Sequence, residues 1–428
     1  ENQGQHEVEG GYETNRHSAS VAKNYAKVLY GVCGKEIKKM KVLMLLDHVF
    51  PPDIRVENEI ESLSNAGHEV HIACFMRKGE PSVETTENCV IHRKEIPSLV
   101  YKASVGALKC PVYFNFWRKF TRELFINDHY DVVHVHDLPL ARVGYELKQQ
   151  YGVKFVLDLH ENWPVLLQLS QHANTLLGKV LSSHRQWIAY EKDACKRADK
   201  IIVVVEEAKF RIAALGVPEK DVTVVSNTLN MSQFDVINRD MRKKEDFRLL
   251  YVGGINYHRG IQYVIEAISL LKQRGAEVVF DLVGNGRYLE NIKKQIAEKH
   301  LENNVIVHGF RRFTDIPDVY ESASLAIIPH VKSGHTDNTI PHKLFQYMYA
   351  EIPILSSNCN PLERIINETH CGICYQYDDV QQLAEIIKEL CENPDNLQYY
   401  VGEGRKAVVE KYNWVIDGQL LVDMYSDL

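Results

Sequence analysis

Short apolar runs alternate with helical patterns along most of the chain, and they do so in two separate series. The first opens with MKVLMLLD at Met40, continues through a helical pattern over Ile54–Ala66 closed by Gly67, and reaches a second run, HEVHIAC. Runs apolar on both faces mark strands buried in a parallel sheet, and a glycine supplies the left-handed residue that ends a helix. The rhythm goes on through CVIHR, DVVHVHD, VKFVLDLH, KIIVVV and DVTVVSN. After the charged segment INRDMRKKEDF, which suits a linker, come RLLYVGG, EVVFDLVG, NVIVHG, SLAIIP, IPILSS and GICYQY, with helices near 260–273, 287–299, 341–350 and 379–392. This alternation predicts an α/β fold of two doubly wound, Rossmann-like domains. We place a polar extension at 1–39, whose one helical pattern is SVAKNYAKVLYGV, an N-terminal domain at 40–235, a C-terminal domain at 236–410 and a closing helix at 411–428. Open parallel sheets bind ligands beyond the carboxyl ends of their strands, so the expected site is the cleft between the two domains.

A length of 428 residues suits two such cores. The balance of 50 Lys plus Arg against 57 Asp plus Glu gives −7, which argues against a dedicated nucleic-acid binder, so an anionic ligand must be met by local cations. No apolar stretch approaches the roughly 18 residues of a spanning helix, and the opening residues lack the apolar core of a signal peptide, so a cytoplasmic enzyme is expected. The nine Cys read as reduced thiols. Cys371 and Cys374 have no second pair with which to build a four-thiolate zinc site, and no metal is expected.

The densest candidate chemistry is LYVGGINYHRGIQYVIEAI, Leu250–Ile268. A strand ends in Gly253 and Gly254, a loop carries Arg259, and Gly260 opens a helix; a cation beside free amides at a helix start suits a phosphate. The alternative for Arg259 is a solvated loop residue. A second strand-to-helix junction, HVKSGHTDNTIPHKLFQYMYAEIPILSS, follows SLAIIP. There Pro341 fits a first helical turn, and Asn338 or Thr339 a cap. Lys343 opposes the helix dipole unless an anion sits beside it; its alternative is an outward, solvated side chain.

In the first half, DVVHVHD sets His136 and Asp137 at the exposed end of a buried strand, with His134 on the same face as His136 and read as a core residue. LDLHENWP ends another strand with His160 and Glu161, which suit either acceptor contact or a helix cap before Pro164. Arg55, in DHVFPPDIRV, is placed either in the cleft or on the surface. The stretch Tyr101–Phe125 interleaves Lys102, Lys109, Arg118, Lys119 and Arg122 with Tyr113, Phe114, Phe116, Trp117 and Phe120. It reads either as a surface for peripheral contact with the inner face of a membrane or a lipid-linked acceptor, or as a domain helix with one core face.

Across Arg248–Tyr412 the chain resembles the C-terminal domain of family 4 glycosyltransferases, retaining enzymes of the GT-B fold, through YVGGINYHRG, DLVGNG, VIVHGF, SLAIIP and PHKLFQYMYAEIPIL. The N-terminal half is similar through MKVLMLLD, NEIESLSNAGHEVHI and VVHVHD, and the helix with Trp414 and Tyr425 resembles the segment that crosses back to the N-terminal domain. The resemblance implies transfer of a sugar from a UDP- or GDP-linked donor to a glycan or lipid-linked acceptor with retention of configuration, and no cofactor or metal. It implies that Arg259 and Lys343 hold the diphosphate, with Gly253, Gly254 and the amides of Thr339 and Ile340, and that His136 contacts the transferred sugar. The family's two glutamates are replaced: Gln346 stands at the second position, on the ribose, and Asn338 at the first, with Asp337 or His335 as alternatives. The loss motivates a second reading, a non-catalytic glycosyltransferase-like subunit that binds a nucleotide or a partner.

Overall fold

The computed structural model describes residues 38–169, 183–234, 246–311 and 317–428. The helix expected in the extension and nearly all of the charged linker lie outside the described residues. The N-terminal sheet contains β1 (Lys41–Val49), β2 (Glu69–Phe75), β3 (Val83–Thr85), β4 (Val90–Lys94), β5 (Val132–His136), β6 (Lys154–Leu159), β7 (Lys200–Val203) and β8 (Val222–Val224), in the order β3-β4-β2-β1-β5-β6-β7-β8. The C-terminal sheet contains β9 (Phe247–Val252), β10 (Val278–Val283), β11 (Val305–Gly309), β12 (Leu325–Ile328), β13 (Ile354–Ser357) and β14 (Gly372–Tyr375), in the order β11-β10-β9-β12-β13-β14. Each of the apolar runs named above forms a strand. Pairing is parallel except at one edge, where β3 runs antiparallel to β4. The sequence reading missed β3 because Val83, Glu84 and Thr85 are all exposed and carry no apolar signal.

In each sheet the chain steps first to one side of the opening strand and then to the other. The order therefore reverses between β1 and β5 in the N-terminal sheet and between β9 and β12 in the C-terminal sheet. Crevices open beyond the carboxyl ends of strands at such points. The loops and first helical turns that follow these strands carry Arg55 and Asp137 in one domain, and Arg259 and Lys343 in the other.

The closing helix, Trp414–Ser426, returns to the N-terminal domain as its sequence suggests. Trp414 Nε1 donates to Asn58 O at 3.2 Å and Ser62 Oγ at 3.0 Å, both on the helix Ile54–Asn65, and Tyr425 shares a 2.9 Å hydrogen bond with His134 Nδ1. Tyr113, Phe114, Trp117 and Phe120, on the helix Val112–Asn127, are buried, with Trp117 packed 5.4 Å from Phe75. Arg118 is paired with Glu146. Those aromatic rings therefore form core, which agrees with the reading of this stretch as a domain helix with one core face; the cations Lys102, Lys109, Lys119 and Arg122 remain outside. Among the described residues no helix is long and apolar enough to cross a membrane.

Candidate active site

Beyond β9 the chain needs glycine at two positions. Gly253 has φ 141°, and a Cβ on it would lie 2.8 Å from Lys343 Nζ; Gly260 has φ 72°, and a Cβ there would lie 1.7 Å from Pro329 O. No L side chain fits either place. Gly254 is different, since its Cβ would meet nothing closer than 3.7 Å. Gly260 N accordingly closes the short turn Tyr257–Arg259 onto Tyr257 O, and the helix Ile261–Gln273 starts directly after it.

This turn presents Arg259 to the crevice, where its Nη1 donates to His330 Nε2 at 3.0 Å while Nε has no hydrogen-bond partner. His330 is itself buried, so Arg259 is not the solvated loop residue of the alternative reading. Lys343 departs further from its alternative: it is only 8% exposed, and its Nζ has no hydrogen-bond partner. Its ammonium rests 3.6 Å above the centroid of the Tyr251 ring, the one favourable contact it finds among the described residues. Burial and the charge of Arg259 hold its pKa well below the usual lysine value. Burial, then Arg259, pushes His335 down to about 4 and His258 to about 3, and His330 also falls well below the usual range. The result is a pocket wall dominated by cationic and potentially cationic groups, which a single carboxylate among the described residues, Glu161 of the opposite wall, approaches through His335. An isolated buried charge is strongly unfavourable unless an opposite charge arrives.

The helix that carries Lys343 spans His342–Tyr349. Its N-cap is Pro341 in extended geometry, without a side-chain cap, so the expectation that Pro341 lies in the first turn with Asn338 or Thr339 as cap is corrected. Asn338 and Thr339 instead bond within their own loop, to Gly334 O and His335 O. Asp337 is engaged through Oδ1 by Lys332 Nζ at 3.0 Å and by the amide of Asn360 at 2.9 Å, which ties it to the next helix. Gln346, half-buried, accepts from Tyr320 at 3.3 Å through Oε1, which leaves its two N–H donors for a ligand. Ile340 is buried and its carbonyl accepts from Asn227, on the N-terminal domain, at 3.3 Å.

In the opposite wall, His136 is buried and bonds Asp158 through Nδ1 at 2.9 Å. Asp137, the next residue, has φ 63° and ψ 161°, a conformation costly for a residue with a side chain and characteristic of functional turns. Burial pushes its carboxyl up to about 6 although Arg55 opposes the shift. Arg55 is largely buried, 3.8 Å from Asp137 and 3.7 Å from Asp53, which resolves its two readings in favour of the cleft. Asp53 caps the helix Ile54–Asn65 by accepting from the amides of Arg55 and Val56, and Glu57 accepts from the amide of Asp53, a reciprocal cap that fixes Arg55 on the first turn. His160 does not face an acceptor: it turns inward against Asp158. Glu161 does reach the cleft, where its Oε2 lies 3.2 Å from His335 Nδ1, and Asn162 Nδ2 donates to Gly334 O at 2.8 Å. His134 is core, as expected.

The two walls thus face each other, cationic from the C-terminal domain and mixed from the N-terminal one. His330, His258 and Tyr251 were not singled out by sequence, although Tyr251 and His258 lie within the glycine-rich segment that was.

Two family models match the chain in tandem: glycosyltransferase family 4 over residues 54–233, and glycosyl transferases group 1 over residues 234–407. An uncharacterised glycosyltransferase of Methanocaldococcus jannaschii is 25% identical over 70% of this chain and 76% of its own length. The α-D-kanosaminyltransferase of Streptomyces kanamyceticus is 23% identical over 66% of this chain and 73% of its own. Among solved structures, sucrose-phosphate synthase from Thermosynechococcus elongatus superposes with a TM-score of 0.73 at 16% identity, covering 91% of this chain and 99% of that one. Anabaena HepE, solved in complex with UDP and glucose, gives 0.65 at 16% identity, over 91% and 100% of the two chains. These two structures share the GT-B fold described above.

Proposed function

We propose that this chain, which belongs to the family 4 glycosyltransferases of GT-B fold, moves a sugar from a nucleotide-diphosphate donor to a glycan or lipid-linked acceptor, with retention of anomeric configuration and without a metal ion. The observation that carries the reading is the buried ammonium of Lys343, which has no hydrogen-bond partner and stands against the backbone of Gly253. A diphosphate in the crevice supplies the missing anion. As the bond to the sugar breaks, negative charge grows on the leaving phosphate, and fixed cations stabilise that charge more in the transition state than in the ground state. Lys343 and Arg259 take this role, which makes a divalent cation unnecessary. The N-terminal wall, with His136, Asp137, Arg55 and Glu161, receives the sugar and the acceptor. The UDP and glucose bound by Anabaena HepE make a uridine nucleotide the first to test.

The reading is checked by offering the purified protein a panel of UDP- and GDP-sugars, with plausible acceptors and EDTA, and following release of the nucleoside diphosphate and the anomeric configuration of the product. Transfer with retention that is lost in Arg259→Ala and Lys343→Ala supports it. Absence of release from every donor would favour a non-catalytic subunit, and full transfer by both variants would remove the site.

A further inference from the structure

Five ionisable side chains meet on the face of the N-terminal sheet that the helix Ile54–Asn65 covers: Glu59 from that helix, His134 and His136 from β5, Asp158 from β6 and His160 just beyond it. None is more than 3% exposed. The strand register sets His136 beside Asp158. The Asp158 carboxylate accepts from His136 Nδ1 at 2.9 Å and also contacts His160 Nε2 at hydrogen-bonding range. The two oxygens of Glu59 have no hydrogen-bond partner and lie 3.6 Å from His134 Nε2 and His160 Nε2.

Two carboxylates in a dry core must either be protonated or face compensating positive charge. Arg55 is turned to Asp53 and Asp137, so compensation falls to an imidazole. His134 Nε2 and His160 Nε2 each reach both carboxylates, but His134 stands 3.9 Å from Asp158 and gives its Nδ1 to Tyr425, whereas His160 meets Asp158 at hydrogen-bonding range and Glu59 at 3.6 Å. We propose that His160 is a buried imidazolium held between Asp158 and Glu59, and that this one proton positions the neighbouring His136–Asp137 turn, so that Glu59, Asp158 and His160 are positioning residues for sugar transfer. The proposal rests on the reading that this turn faces the transferred sugar.

The connection to the turn is direct. The Asp158 carboxylate places the proton of His136 on Nδ1 and leaves Nε2 as an acceptor. The Asp158 carbonyl accepts from Asp137 N at 2.7 Å, and His160 N donates to Asp137 Oδ1 at 3.2 Å. The costly backbone of Asp137 persists because both bonds hold it. The groups that face His160 are Arg55 and Glu59 from the helix, His136 and Asp137 from β5 and its turn, Asp158 and Glu161 on its own segment, and His342 from the C-terminal domain, while His134 and Tyr425 act on the same two carboxylates. Burial and Arg55 oppose a charged His160, but Asp158 and Glu59 outweigh them and lift its pKa to about 9.

The test is histidine-selective nitrogen NMR on the full chain, with His160→Gln to assign the signal, together with steady-state kinetics of Glu59→Gln and Asp158→Asn. His160 is expected to be doubly protonated at neutral pH. Each variant should lower its pKa and reduce kcat by roughly tenfold or more, with the donor KM and nucleoside-diphosphate affinity within about twofold, because the donor cations belong to the other domain. A neutral His160, wild-type kcat in both variants, or a stoichiometric divalent metal in the purified protein would overturn the proposal; in the last case a metal and not a proton balances the carboxylates. If a variant fails to fold, the wild-type spectrum still decides. If wild-type protein transfers no sugar, the functional reading fails while the spectrum still reports the imidazolium.

Discussion

The ammonium of Lys343 lies 3.6 Å from the centroid of the Tyr251 ring, and a Cβ on Gly253 would reach to 2.8 Å of the same nitrogen. Two segments distant in sequence converge on one buried charge: the end of β9 with the turn after it, and the first turn of the helix His342–Tyr349. A cation–π contact of this kind returns on the order of 1–2 kcal/mol, less than the several kcal/mol that desolvating an ammonium costs. The difference is what an arriving anion recovers.

The adjacent glycines should respond differently to the same substitution. Gly254→Ala is expected to fold and to bind nucleotide as wild type does, because its Cβ would have open space. Gly253→Ala introduces a methyl group at a positive φ and against Lys343 Nζ, and should weaken nucleotide binding by at least about tenfold. Calorimetric titration of both variants checks this, and equal losses in the two would contradict it.

Donor binding should take up protons. Lys343, His258, His330 and His335 all have pKa values held below their ordinary ones by burial and by mutual positive charge, Arg259 above all. A diphosphate favours the protonated form of each, so these pKa values rise on binding, and affinity falls as pH rises through the values of the complex. Binding enthalpies measured in buffers of different ionisation enthalpy, at pH 7 to 8, should reveal net uptake. Net release would contradict the charge arrangement.

Asp417, on the closing helix, accepts from the hydroxyl of Thr228 on the N-terminal domain, and burial pushes its carboxyl up to about 7. The folded state therefore holds this proton more tightly than the unfolded chain, whose value is near 3.8. Stability from this group is complete at low pH, declines as pH rises from about 4 to about 7, and stays reduced above that. Asp417→Asn removes the titration and should gain on wild type by on the order of a few kcal/mol between pH 4 and pH 8, measured by denaturant unfolding. A difference independent of pH would contradict the assignment.

Much of this architecture is legible in the sequence because buried parallel strands must be apolar on both faces, and runs such as KVLMLLDHV and LAII carry that demand openly. Strand β3 carries no such demand, and only its pairing with β4 reveals it. Arg259 and Lys343 were legible as cations at helix starts. The burial of Lys343 was not, since it depends on Tyr251 and Gly253 from a distant segment. The inward turn of His160 was hidden for the same reason: its partners Asp158 and Glu59 read as an ordinary strand residue and an ordinary helix residue until the β5–β6 register and the helix Ile54–Asn65 bring them together. Asp337 was legible as a candidate by spacing, whereas its bonds to Lys332 and the next helix were not.

The central claim is that Lys343 exists to meet a nucleoside diphosphate. Titrating UDP and GDP, in EDTA, into wild-type protein and Lys343→Met by calorimetry tests it most directly, since methionine keeps the volume and discards the charge. Wild type should bind one of the two saturably; the variant should lose roughly 100-fold or more in affinity while melting at the same or a higher temperature, because an unpaired buried charge has gone. Equal affinity in the two proteins, or a variant that binds weakly only because it has unfolded, would contradict the claim.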